Sequence, residues 1–128
     1  DQLEGLDALM GAILPSLQSQ TPPDALRTLF TYLNENEALC GALMGPNGDA
    51  AFVMRIREML ERRVIGHFVE PGQETDRQRY LTSFAVNGCV GSIVAWLQNG
   101  RKQMPDEMAD MTWDAVRAIR AIASEKNE

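Results

Sequence analysis

The side chains with most chemical potential in this sequence are few and scattered. His67 is the only histidine, and Cys40 and Cys89 are the only cysteines. A metal site needs several N, S or O ligands brought together, usually announced by two of them one helical turn or a short loop apart. No Cys-x-x-Cys or His-x-x-x-His spacing occurs, so no metal ligands are expected. A nucleophilic Cys–His pair would need a third, orienting group and an oxyanion site. No motif supplies either, and no paired-carboxylate motif occurs, so the expectation is no catalytic residue, no enzyme and no cofactor. Cys40 and Cys89 can form at most one bridge. Nothing else points to an oxidising compartment, so reduced thiols are the default and a redox switch between the two is the alternative.

The remaining polar and aromatic candidates are judged by where they would sit. Asn87 stands among apolar neighbours, where a buried amide needs partners. Its twin in a second copy is the preferred one, since buried polar residues at helix interfaces set register; a bound effector is the other. Tyr80 and Trp96 suit a pocket wall or a core. The seven methionines suit an adaptable pocket or gaps in a core. Arg62-Arg63 and Arg101-Lys102 are expected on solvated surface and near a helix C-terminus, not in an anion site.

The elements that must position these residues read as helices throughout. Leu3, Leu6, Leu9, Met10, Ile13, Leu14 and Leu17 recur at three- and four-residue steps, and Pro15 kinks or ends that helix. Thr21, Pro22 and Asp24 form a cap, a first-position proline and an acidic first turn for a helix burying Leu26, Leu29, Phe30 and Leu33. Asn34-Glu35-Asn36 interrupts it before a short apolar piece at Leu39, Cys40, Leu43 and Met44. Gly45-Pro46-Asn47-Gly48 is a tight turn, and Asp49 caps a long helix along Phe52, Ile56, Met59, Leu60, Val64 and Phe68, with Arg55, Arg57, Glu58, Glu61 and Arg62 opposite. Glu70-Pro71-Gly72 ends that one. Thr75 with Gln78 forms a capping box for the next, which runs to Asn99-Gly100. Pro105-Asp106-Glu107 opens the last helix, with Met108, Met111, Ala115, Ala118, Ile119 and Ile122 as its stripe. No run alternates with period two and no internal repeat occurs.

The chain has 128 residues, the size of one domain, and a formal net charge of -6. An acidic body repels phosphate backbones, so any nucleic-acid contact must come from residues outside this sequence. Because the first residue is Asp1 and not Met, a piece of a longer protein is expected. No basic segment followed by an apolar core opens it, so no secretory signal is expected and a cytoplasmic location is.

From Tyr80 to Leu97 there are 18 residues without a charge. As a helix this run spans roughly 27 Å, the length of a membrane span. Thr82, Ser83, Asn87 and Ser92 dilute it, however, and every neighbouring helix is amphipathic, so no membrane is expected. At about 100° per residue, Leu81, Ala85, Gly88, Ser92 and Ala95 fall in one sector, with Val86, Val90, Ile93, Val94 and Leu97 mostly opposite. A helix apolar on two sides must be covered on two sides. A domain this small covers one, leaving the small-residue side for close approach by a partner chain. A monomeric bundle with this helix at its centre is the competing expectation.

Four pieces carry a resemblance. They are Tyr32-Leu33-Asn34-Glu35-Asn36 before a short helix, Gly48-Asp49-Ala50-Ala51-Phe52 opening a long one, the helix from Phe84 to Trp96-Leu97-Gln98-Asn99-Gly100, and Met104-Pro105-Asp106-Glu107-Met108 opening the last. In this order, over nearly the whole chain, they resemble the C-terminal domain of TetR-family transcriptional regulators. The resemblance implies one domain over residues 1–128, an all-α bundle of about five to six helices. Its last two helices would form an intermolecular four-helix bundle in a homodimer. It further implies a small-molecule effector, and operator DNA reached only through an N-terminal helix-turn-helix that is absent from this sequence. The effector is expected against Phe30, Phe52, Ile56, Met59, Tyr80 and Phe84. The dimer interface is expected at Ala85, Asn87, Gly88, Ser92, Ala95, Trp96, Met108, Met111, Ala115 and Ile119. In such a regulator two reading heads sit roughly 34 Å apart, and an effector acts by tilting the Leu3–Leu17 helix and so changing that separation. A helical interaction module without a small-molecule effector is the alternative.

Overall fold

The computed structural model describes residues 21–36, 50–62 and 72–125, with side chains from residue 53 onward in the second stretch. The expected helix over Leu3–Leu17, the piece around Leu39–Met44, the Gly45–Gly48 turn and the Val64–Phe68 extension lie outside these residues. So do Cys40, His67 and the side chain of Phe52. All elements among the described residues are helices: α1 (Pro22–Glu35), α2 (Ala50–Leu60), α3 (Asp76–Gln98) and α4 (Pro105–Ser124).

Each helix begins and ends where its side chains satisfy the backbone groups that the helix itself leaves over. At the start of α1 the Asp24 N–H donates to Thr21 Oγ1 at 3.4 Å. The polar interruption after Leu33 is its stop, because Asn36 Nδ2 donates to the Tyr32 carbonyl at 2.8 Å. A reciprocal capping box opens α3: the Gln78 N–H donates to Thr75 Oγ1 and the Thr75 N–H to Gln78 Oε1. At its other end Gly100 takes a φ of +79°. The N–H groups of Gly100 and Arg101 turn back to the carbonyls of Leu97 and Trp96, a Schellman arrangement. Pro105 opens α4 at the first position.

Packing places α4 between α1 and α3, and α2 against α3. The side toward α1 is marked by Arg27, whose guanidinium reaches Asp106 at 3.8 Å and Asp110 at 3.4 Å. These pairs are largely exposed and contribute little energy, but they fix which edge of α4 faces α1. The start of α3 meets the end of α4, since Arg77 Nη1 and Gln78 Nε2 donate to the carbonyls of Ile122 and Ala123. At the opposite end Trp96 Nε1 donates to the Gln103 carbonyl at 3.0 Å. Helices α3 and α4 are therefore antiparallel.

The core joins Leu26, Leu29, Phe30 and Leu33 of α1, Ile56, Met59 and Leu60 of α2, and one side of α3 and α4. Phe30 and Trp96 meet edge to face, with ring centroids 5.3 Å apart. By length and composition α3 could cross a bilayer, and a third of its most apolar window is buried within the chain. The expected stripe of α4 divides: Met108 is buried and Ile119 half-buried, whereas Met111, Ala115, Ala118 and Ile122 are exposed.

Two core groups yield predictions. Thr112 on α4 is buried, yet its Oγ1 has no hydrogen-bond partner, so the hydroxyl is desolvated without return. Thr112→Val, which keeps the shape and removes the polar atom, should raise stability by about 1 kcal/mol in denaturant melts; a loss of stability would show that the hydroxyl is satisfied in solution. Burial pushes the Cys89 thiol up from 9.0 to about 11 because the thiolate would be desolvated. The unfolded chain then deprotonates first. The stability linked to this thiol is full below about pH 9 and falls, by on the order of 2 kcal/mol, as pH climbs toward about 11. Cys89→Ala should lose less stability over that alkaline window than the parent chain, and equal slopes in the two pH series would refute the assignment.

Candidate functional site: a polar cleft and an uncovered helix face

Of the six residues expected to hold an effector, five have described side chains, and these fall in two settings. Phe30, Ile56 and Met59 are buried in the core. Tyr80 and Phe84 are 70% and 69% exposed on the outer side of α3, and the side chain of Phe52 lies outside the described residues.

A cleft of about 330 Å³ does open between α2 and α3, at the small end of the range for ligand pockets. Helix α2 contributes Arg57 and, one turn on, Glu61, where the helix loosens into a wider turn at Glu61–Arg62. Across from them, Thr82, Ser83, Val86 and Asn87 present one face of α3. Glu74 and Arg79 close one end. Arg79 is engaged there, its guanidinium 3.8 Å from Glu74 and 3.3 Å from Asp76. Arg57 is not: its Nε is shielded from solvent and finds no acceptor. Glu61 pairs with no cation among the described residues.

Asn87 is on the rim of this cleft, and its amide is satisfied within its own helix, donating to the Ser83 carbonyl at 2.8 Å and to Ser83 Oγ at 3.3 Å. Sequence reasoning passed over the cleft because Arg57 and Glu61 look like ordinary residues of a solvated face. The available signal was the polar set Thr82, Ser83 and Asn87 inside an otherwise apolar run.

The second feature is the side of α3 that the other described residues leave open. The residues of α3 buried within the chain are Ala85, Val86, Cys89, Val90, Ile93, Trp96 and Leu97. Away from them run Tyr80, Phe84, Asn87, Gly88, Gly91 and Ala95, all exposed, with Ser92 half-buried at the border. Of the residues expected at a dimer interface, Ala85, Trp96 and Met108 are in the chain's own core. Asn87, Gly88, Ala95, Met111 and Ala115 are exposed, and Ser92 and Ile119 are half-buried. The Asp106 and Asp110 edge of α4 belongs to α1, so the opposite edge borders α3. There Met111, Ala115, Ala118 and Ile122 recur at four-, three- and four-residue steps, forming one exposed stripe. The two stripes lie side by side along the α3–α4 pair. A Cβ added to Gly88 or Gly91 would meet no atom within 4 Å.

Among the described residues no three His, Cys, Asp or Glu side chains come together as a metal site. Cys89, the described thiol, is buried, and a thiol held above its usual range is a poor nucleophile.

Comparison with known proteins adds one finding. A TetR-type family model described as "Transcriptional regulator C-terminal region" matches residues 20–117, from the cap of α1 to well inside α4. No curated protein and no solved structure matches the chain. With more than half of its length under that family model, and with the all-helical architecture described above, the chain belongs to the family of TetR-type transcriptional regulator C-terminal regions.

Proposed function

We propose that residues 1–128 act as a single effector-receiving and dimerisation domain of a TetR-type regulator, working in the cytoplasm by binding and not by catalysis. DNA is contacted through a separate helix-turn-helix, because the acidic charge of this chain opposes phosphate. The observation that carries this reading is the open apolar face of α3 and α4 with Gly88 and Gly91 at its centre.

A glycine inside a helix costs about 1 kcal/mol relative to alanine. Neither Gly88 nor Gly91 has a positive φ, and neither is crowded by its own chain, so nothing within one copy calls for the missing side chain. Close approach by a second backbone does, and it allows the helices to gain dispersion contacts along their length. Met111, Ala115, Ala118 and Ile122 next to this stripe extend the surface on α4. Pairing about a two-fold axis brings the same patch of each copy together and makes a four-helix bundle from two α3–α4 pairs. In this arrangement a ligand changes DNA affinity only through its different affinities for two dimer geometries.

Sedimentation of the purified chain should find dimers at micromolar concentration. Replacing both glycines, Gly88→Leu with Gly91→Leu, should keep the helical circular dichroism signal while weakening dimerisation at least about tenfold, which corresponds to about 1.4 kcal/mol. A wild-type chain that sediments as a monomer would overturn the proposal, as would a double variant that is folded and as dimeric as its parent.

A further inference from the structure

We infer that the cleft between α2 and α3 is the effector site and that it takes a small zwitterion of the amino-acid class, its carboxylate on Arg57 and its ammonium on Glu61. This rests on the reading that the domain receives a small molecule at all; the chemistry of the ligand comes from the cleft itself.

Three observations converge. First, a guanidinium is charged at every physiological pH and carries five N–H donors in a planar fork. Arg57 lines the cleft, and no carboxylate pairs with its guanidinium among the described residues, so its planar fork is open to a ligand carboxylate through charge-assisted hydrogen bonds. Second, the cleft's charges are balanced. Arg79 is occupied by Glu74 and Asp76, which leaves, among the described residues, Arg57 as the unmatched cation and Glu61, one helical turn away, as the unmatched anion. A dianion would gain from Arg57 but meet Glu61, and a diamine the reverse. A molecule carrying one charge of each sign complements both. Third, the opposing wall is polar. Thr82 and Ser83 bring hydroxyls, and Asn87, whose Nδ2 is already given to Ser83, keeps its Oδ1 as an acceptor for a ligand N–H. The volume of about 330 Å³ admits a metabolite of this size.

At Glu61–Arg62 the helix relaxes into a wider turn, a local irregularity that recurs at functional positions. It falls on the residue assigned to the ammonium.

The test is calorimetric titration of the intact chain with four probe sets: the twenty standard amino acids, glutarate and succinate, putrescine, and decanol as an apolar probe. At least one amino acid is expected to bind more tightly than every other probe. Arg57→Gln should then weaken it at least tenfold and Arg57→Lys should recover part of the loss. Glu61→Gln should narrow the gap between an amino acid and the matching amine-free dicarboxylate. Each variant is checked for an unchanged helical spectrum and melting curve, and Glu61→Gln, on an exposed side chain, serves if Arg57→Gln fails to fold. Amino-acid binding that is indifferent to both substitutions overturns the inference. So does binding of decanol alone, which would leave the small-effector reading standing with its site elsewhere. Binding of no probe from any set overturns the inference and that reading together.

Discussion

Trp96 ties α1, α3 and α4 into one frame. Its ring meets Phe30 of α1 edge-on, its indole N–H donates to the Gln103 carbonyl in the link to α4, and its own carbonyl accepts the Arg101 N–H that ends α3. Arg101 reaches on to the Asn34 carbonyl at the end of α1, close to the negative end of that helix's dipole. A buried indole must place both its apolar face and its N–H. Few orientations of α3 do so, which fixes the rotation of α3 about its axis. Once that rotation is set, the side holding Val86, Val90, Ile93 and Leu97 is committed to the core, and the side holding Phe84, Gly88, Gly91 and Ala95 has no cover among the described residues.

Much of this frame was legible in the sequence because it is written in local chemistry. Thr21, Thr75 with Gln78, Gly100 and Pro105 each act on backbone groups within a few residues of themselves, and all four mark the helix ends observed. The two-sided character of α3 was legible for the same reason, as a property of one helix. Where the boundary between its sides falls was not. Counting at helical steps put Ala85 with the outward set, and the resemblance put Trp96 at the partner interface, whereas both are in the core; Trp96 is held there by Phe30 and the link to α4, and contacts of that kind join residues far apart in the chain.

The cleft between α2 and α3 was less legible still. Phe30, Ile56 and Met59, which the resemblance places against an effector, are large apolar residues of the type that fills a core as readily as it lines a pocket, and the structure buries them. The cleft is lined by residues that would be unremarkable on any solvated helix. What distinguishes Arg57 is the burial of a single nitrogen, and burial of one atom is decided by the neighbouring helix and not by the residue's own surroundings in sequence.

The two candidate surfaces occupy consecutive residues of one helix. Ser83 and Asn87 face the cleft, and Phe84 and Gly88, each one residue further, face outward beside α4. A helix is stiff over two turns, because every backbone hydrogen bond in it would have to yield for one side to move without the other. If the cleft holds the effector and the outer stripe holds a second copy, a ligand that draws α2 toward α3 also turns α3 against its partner, and no chain of intermediate residues is needed. Couplings between linked sites are commonly about 1–3 kcal/mol and reciprocal, so dimer geometry would tune ligand affinity by the same factor by which ligand tunes the geometry. The small residues of the stripe suit such a joint, since Gly88 and Gly91 offer no interlocking side chains and let one backbone rotate over another with little repacking.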